Sequence, residues 1–325
     1  QVIEEEARGR LWDAASSDLD DLERGLGECR SARDAPIEAD LLNRIGLVLC
    51  ERGDMQQGIK RMSRAVSSAC LCANRRILVT CLSSLGCAHS RCGGKDAAVE
   101  VLEEAAQVSQ RLSDVSLEAN CLRKIALTHA SHGDLTTGLV VIRDALDLFI
   151  SVSDTYGEAA CLFTAGVMQY ELGHTGEGVA DIEASLRVRR ALKDKVGIAE
   201  CLNRLGLALI DIGFHLQALD YLERALALCH EVGDLMGQAH ALRLLAYLHF
   251  AQVDGDRKLS LELFKKSLSL CRRNRDVVGQ AMCHEGVADV LADIEDFKLS
   301  AHHYAEAMSL REGALGGGGG REDPT

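Results

Sequence analysis

Residues 197–213 read GIAECLNRLGLALIDIG, and residues 215–234 read HLQALDYLERALALCHEVGD. In the first segment apolar residues return every three or four positions, the spacing of one face of an α-helix, and the pattern stops at Gly213. The second segment repeats the pattern and stops at Gly233. A glycine just past the last apolar turn suits a helix that ends in a left-handed residue. Two helices joined near Gly213 are therefore predicted. Gly206 and Ala218 are small enough for the pair to approach closely, while Leu202, Leu205 and Leu222 fill the seam.

The same unit recurs in both directions. Asp34, Asp114, Asp154, Asp194 and Asp234 are separated by multiples of 40, and Asn74 fills the gap. Cys81, Cys121, Cys161 and Cys201 run in step, as do Gly53, Gly93, Gly133, Gly173 and Gly213. A small residue falls at Gly46, Gly86, Ala126, Gly166, Gly206 and Ala246. After Ala246 the register slips by two through an insertion around Val253–Asp256, then resumes with Asp276, Cys283 and Ala288. A fixed period of this length is the mark of a repeat array, in which each unit buries its apolar face on the next.

The frame divides the chain. Residues 1–34 are expected to be a worn first repeat, fitting only where Leu22 and Asp34 align. Seven repeats follow at 35–74, 75–114, 115–154, 155–194, 195–234, 235–276 and 277–312. Residues 313–325, with the run Gly316–Gly320, are expected to be a flexible tail. No polar capping helix follows the last repeat. The chain is thus expected to be part of something longer, or to cover its C-terminal edge with a partner, including by self-association through Tyr304, Ala307 and Met308.

Composition agrees with packed helices. Aromatics are only 4% and prolines number two, Pro36 and Pro324, which argues against a β-sandwich or barrel. The net charge of −13 opposes binding to nucleic acid or anionic lipid. No apolar run reaches the ~18 residues of a membrane span. Thirteen cysteines, an odd number placed in step with the helices, do not read as a disulfide framework, so a reducing, cytoplasmic setting is expected.

Leu205, Gly206, Leu209, Gly213, Ala218, Leu222 and Ala225 keep the spacing of the tetratricopeptide signature, and over residues 35–312 the chain resembles tetratricopeptide repeat proteins. The common unit is ~34 residues. The longer period, with the junctions Asp154-Thr-Tyr-Gly157, Asp194-Lys-Val-Gly197, Asp234-Leu-Met-Gly237 and Asp276-Val-Val-Gly279, looks like the subclass of the Pins/LGN polarity adaptors and rapsyn-type scaffolds. The resemblance implies an all-α, right-handed superhelical solenoid of antiparallel helix pairs; the lack of a nucleotide-binding or nucleophile motif adds the expectation of no enzymatic activity and no cofactor. The resemblance also implies that the first helix of each pair lines a concave groove, with the residues two and three before the small column facing it. Carried over, these are Asn43 and Arg44, Ser83 and Ser84, Arg123 and Lys124, Phe163 and Thr164, Asn203 and Arg204, and Arg243 and Leu244. The last repeat breaks the trend with Glu285 and Gly286.

Five cations on one predicted face of an acidic chain point to an acidic peptide partner, since arginine grips a carboxylate through two parallel hydrogen bonds and asparagine pairs with backbone amides. Solvated charge is the plainer reading of such residues. One position after the small column the adaptors often carry Asn. Here stand Leu47, Cys87, Leu127, Val167, Leu207 and Tyr247, an apolar floor suited to Leu or Phe between the ligand's acids. The expected function is a scaffold or adaptor for such a segment. The alternatives are a structural subunit of a cytoskeletal, ciliary or receptor-clustering complex, and a regulatory solenoid controlling an attached domain. Cys70-Leu-Cys72 and Cys87-Ala-His89-Ser-Arg-Cys92 lack zinc-site spacing. His302-His303 and Cys283-His284 occupy successive helical positions that point apart. Neither GxGxxG nor GxxxxGK[ST] occurs.

Overall fold

The computed structural model describes residues 19–32, 34–71, 74–252 and 255–316. The chain before residue 19, Cys72, the insertion residues Val253 and Asp254 and the tail beyond 316 lie outside them. Every regular element among the described residues is an α-helix. They are α1 (Leu19–Ala32), α2 (Ala35–Glu51), α3 (Met55–Cys70), α4 (Arg75–Arg91), α5 (Lys95–Arg111), α6 (Val115–Ser131), α7 (Leu135–Ser151), α8 (Thr155–Glu171), α9 (Thr175–Ala191), α10 (Lys195–Asp211), α11 (His215–Val232), α12 (Leu235–Ala251), α13 (Arg257–Arg273), α14 (Val277–Asp293) and α15 (Phe297–Gly316). The last helix continues to Gly316, past the residue 312 at which the sequence frame ends its final repeat.

Residues 1–164 and 165–325 form two compact units, with the boundary inside α8. In the first, α2 packs on α3, α4 on α5 and α6 on α7, and the first helices of successive pairs also touch, α2 on α4 and α4 on α6. In the second, α10 packs on α11, α12 on α13 and α14 on α15, with α10 on α12 and α12 on α14. Turns as short as 132–134 leave consecutive helices no choice but to run antiparallel.

The aspartate column is a column of helix N-caps. Asp34, Asp114, Asp154, Asp194, Asp234 and Asp276 each accept, through Oδ1, the backbone N–H three residues on, at 2.9–3.3 Å. Asn74 does the same for Arg76 at 3.1 Å. Such a cap contributes about 0.5–2 kcal/mol, and the aspartate charge suits the positive end of the helix dipole. Between paired helices the chain turns through Gly53, Gly93, Gly133, Gly173 and Gly213, all at φ between +80° and +93°, where glycine alone has no steric penalty.

The small column lets each pair close. A Cβ on Gly206 would lie 2.7 Å from Leu222 Cδ2, and one on Gly166 would lie 2.7 Å from the Gly178 carbonyl. Leu202, Leu205 and Leu222 are buried as expected. The glycine of the Asp-x-x-Gly junction has a separate reason. It sits against the end of the preceding helix: a Cβ on Gly237 would meet Asp234 Oδ2 and Cys229 Sγ, and one on Gly279 would meet Asp276 Oδ2 and Cys271 Sγ.

The cysteine column is the seam between successive first helices. Cys81, Cys121, Cys161, Cys201 and Cys283 are all buried. Cys81 donates to the Ala39 carbonyl across the seam at 3.9 Å, whereas Cys283 donates to Ser267 Oγ of the preceding second helix, α13, at 3.2 Å. Burial pushes the Cys161 thiol up to about 12, which keeps it a neutral, compact filler. Ion pairs add a register between neighbouring repeats: Arg76 with Asp114 at 2.7 Å, Lys95 with Asp134 at 2.9 Å, and Arg257 with Asp293 at 2.8 Å. At the C-terminal helix, Tyr304 and Met308 are exposed, but Ala307 is buried in the pair. It faces α14 rather than any edge, because the small side chain is needed where the two helices close.

Gly237→Ala should therefore lower stability by about 1–3 kcal/mol, the usual effect of overpacking a close contact. Gly176→Ala, at a helical site with open space around it, should raise stability by roughly 0.4–1 kcal/mol. Thermal melts of the two variants check both signs, and equal behaviour would refute the close-approach explanation.

Candidate functional site

The structure separates the two columns that the sequence treats together. The residue three before the small position points into the seam between successive first helices. Asn43, Ser83 and Asn203 are all buried, at 5%, 5% and 2% exposure. Ser83 Oγ lies 3.7 Å from Cys121 Sγ of the next first helix. Arg123 and Arg243 occupy the same column but are too long for the seam, and both are half-buried. Each still lies close enough to the next cysteine, Cys161 or Cys283, to interact with it electrostatically. The residue two before the small position is half-buried in Arg44, Ser84, Lys124, Thr164 and Arg204, whereas Leu244 is buried. Phe163 is also half-buried. In the apolar column one after the small position Leu127 and Tyr247 are exposed, and Leu47, Cys87, Val167 and Leu207 are half-buried.

Hydrogen-bonding capacity is left unmet at these positions. Asn43 Oδ1, Arg44 Nε and Asn203 Oδ1 are buried atoms with no partner. An unsatisfied buried polar group costs about 1–3 kcal/mol, so such atoms are uncommon in a finished protein interior. Among the described residues Arg44, Arg123, Lys124 and Arg243 make no ion pair, and Arg204 reaches only Glu171, at 3.9 Å. Exposed cations elsewhere, such as Lys60, Arg64 and Lys265, are unpaired too, but in this chain of 49 acidic and 36 basic residues the half-buried cations Arg61, Lys95 and Arg257 find carboxylates.

Two residues missing from the sequence-based set, Met236 and above all His240, belong with them. Met236, His240, Arg243 and Tyr247 fall at successive turns of α12 and so share one stripe. His240 is pushed down to about 4, by burial first and then by the cations Arg243 and Arg204. The signal was present in the sequence, three residues before Arg243 on the same helix face. Burial likewise lowers the guanidinium of Arg243 below its ordinary value.

The remaining clusters are placed differently. His302 and His303 do not point apart as expected, since their ring centroids lie 5.7 Å from each other, edge to face, and His284 and His303 meet across α14 and α15 with their Nδ1 atoms 2.9 Å apart, one donating and one accepting. That contact depends on how the two helices are paired and is invisible in sequence spacing. Among the described residues no group of three or more His, Cys, Asp or Glu side chains is arranged to hold a metal. None of the helices is long and apolar enough to cross a membrane among the described residues.

The His240 shift has a sign that can be checked. A histidine whose folded pKa lies below its ordinary 6.5 stabilises the fold fully above the unfolded value, and that contribution is lost as pH falls through the window from 6.5 toward 4. The melting temperature of the wild type should therefore drop more steeply over this window than that of His240→Gln. Parallel curves would contradict the placement of His240 beside the two arginines.

Residues 78–114 and 198–232 match the family model of the tetratricopeptide repeat. A comparison with curated proteins gives no match. Among solved structures the chain is similar to aspartyl phosphate phosphatase F from Bacillus subtilis, at 10% identity and a TM-score of 0.72 over 90% of this chain and 76% of that one. It is similar to a Rap protein complexed with competence and sporulation factor, at 15% identity and a TM-score of 0.69 over 90% and 80%. It is also similar to the apo form of the quorum sensor NprR from B. thuringiensis, at 14% identity and a TM-score of 0.56 over 95% and 99%. At such identities the likeness is one of fold: an all-α tetratricopeptide-type solenoid of helix pairs.

Proposed function

We propose that the protein is a non-catalytic, cytoplasmic adaptor or scaffold whose first helices bind an extended segment of a partner protein, in which acidic residues alternate with Leu or Phe. The observation that carries this reading is the set of half-buried cations without an ion pair among the described residues, Arg44, Arg123 and Lys124 in the first unit and Arg243 in the second. Carboxylates are abundant in the chain, so cations left unpaired on half-buried helix faces are best explained by a partner that supplies the acids. The half-open apolar column beside them suits the ligand's apolar side chains. Asn43 and Asn203 hold unmet carbonyl oxygens close by, and small shifts of the seam would let them accept peptide N–H groups. The 40-residue frame keeps the chain, in this reading, with the long-repeat scaffolds of the Pins/LGN and rapsyn type. One structural relative is described as complexed with competence and sporulation factor, which is compatible with the same use of the fold.

Selection of a displayed library of random short peptides on the protein is expected to enrich sequences with Asp or Glu between Leu or Phe. Affinity for a synthetic consensus peptide should fall with ionic strength and by about tenfold for Arg123→Glu or Arg204→Glu, roughly the effect of losing one charge-assisted contact. An unselective pool, or binding indifferent to salt and to both reversals, would sink the proposal.

A further inference from the structure

Resting on the peptide-binding reading above, we infer that a pocket between α12, α13 and α14 anchors one carboxylate side chain, Asp or Glu, of the bound segment, with an apolar ligand residue beside it. The pocket encloses ≈ 230 Å³, and its walls include Met236, His240, Arg243, Asp276, Val278 and Met282.

Charge identifies the occupant. Arg243 stands in the wall without an ion pair among the described residues, and Arg204 of α10 adds to the positive field there. The acid in the wall, Asp276, has Oδ1 held by the Gly279 N–H at 2.9 Å as the N-cap of α14. It does not reach Arg243 as a salt bridge. Cys283, Cys271 and Asp276 act on the arginine electrostatically, but among the described residues no carboxylate forms an ion pair with it. A partly desolvated guanidinium without a partner is unfavourable, and an incoming carboxylate meets it with two parallel hydrogen bonds. His240, neutral at pH 7 given its value of about 4, keeps one ring N–H to donate to the same anion.

The rim identifies what accompanies the charge. Met236, Val278 and Met282 are 60%, 65% and 38% exposed, an apolar collar around a cationic floor. Methionine adapts its shape to varied partners. A strongly hydrated phosphate would lose water against that collar and find a lone guanidinium at the base. A carboxylate on a peptide loses less and brings an apolar neighbour with it.

The test uses the full chain and a displayed library of random short peptides. On wild type the enriched pool should carry Asp or Glu at one fixed position next to Leu, Met or Phe. On Arg243→Met that fixed acid should vanish while the other preferences remain, and the synthetic wild-type consensus should bind at least about tenfold more weakly. Addition of that peptide to wild type should raise the titration midpoint of His240, read from its imidazole proton resonances, because an anion now faces it. Arg243→Met removes an unpaired buried charge, so it should melt higher than wild type. Arg243→Gln, which keeps a polar side chain, serves as the second variant, and both must retain the helical circular dichroism of wild type. Retention of the same fixed acid on both variants overturns the anchor but leaves the groove reading standing. Failure of wild type to enrich any peptide overturns the groove reading and the anchor with it. Complete displacement of the consensus peptide by low concentrations of inorganic phosphate overturns the carboxylate in favour of a phosphate-type anion.

Discussion

Successive first helices touch each other along a seam that admits only small side chains. This contact shapes most of the molecule. Cysteine at positions 81, 121, 161, 201 and 283 and alanine at 241 fill it with compact, buried side chains, and Cys81 donates a weak hydrogen bond across it. It buries Asn43, Ser83 and Asn203, whose side chains are short enough to enter. Where the same column carries Arg123 or Arg243, the side chain cannot fit and its head is left half-buried at the mouth of the seam. The packing that builds each compact unit thus also fixes which polar groups are left needing a partner.

Electrostatics then separates structural charge from available charge. Arg76, Lys95 and Arg257 join neighbouring repeats through carboxylates at 2.7–2.9 Å. Asp134 takes Lys95 Nζ and also lies 3.0 Å from His129 Nδ1 while capping α7, and the lysine first of all holds its carboxyl well below the usual carboxylate range. Exposed pairs of this kind contribute about 0–1 kcal/mol each, so their main effect is to set register. Exposed cations such as Lys60, Arg64 and Lys265 on second helices are unpaired too, but Arg44, Arg123, Lys124 and Arg243 are half-buried beside the apolar column and still make no ion pair among the described residues. In the proposed use, a face of either unit that is cationic and partly apolar at once selects ligands by the same combination.

Much of this was legible in the sequence because it repeats. The period of 40 gave the helix pairs, their glycine turns and the buried cysteines, and the aspartates that marked the period proved to be N-caps. The junction glycines were legible as a signature, though their cause was not: it lies in a contact with Phe149, Arg189, Cys229 or Cys271 eight residues earlier. Less legible was the division of the two groove columns, since both look polar and lie one residue apart. Only the distance between neighbouring first helices decides that Asn203 enters the seam while Arg204 stays outside. Contacts such as His284 with His303, and the burial of Ala307, depend on the rotation of one helix against its partner, which no single-helix pattern encodes.

The central claim is that the first-helix face, and not the second helices or the C-terminal helix, receives a partner segment. Side-chain oxidation footprinting with and without a bound acidic-apolar peptide tests it most directly. Met236, Tyr247 and Met282, which are exposed on this face, should become protected, while Met308 on α15, exposed to a similar degree as Met236, should be oxidised at an unchanged rate. Protection of Met308 with no change at Met236, Tyr247 and Met282 would contradict the account.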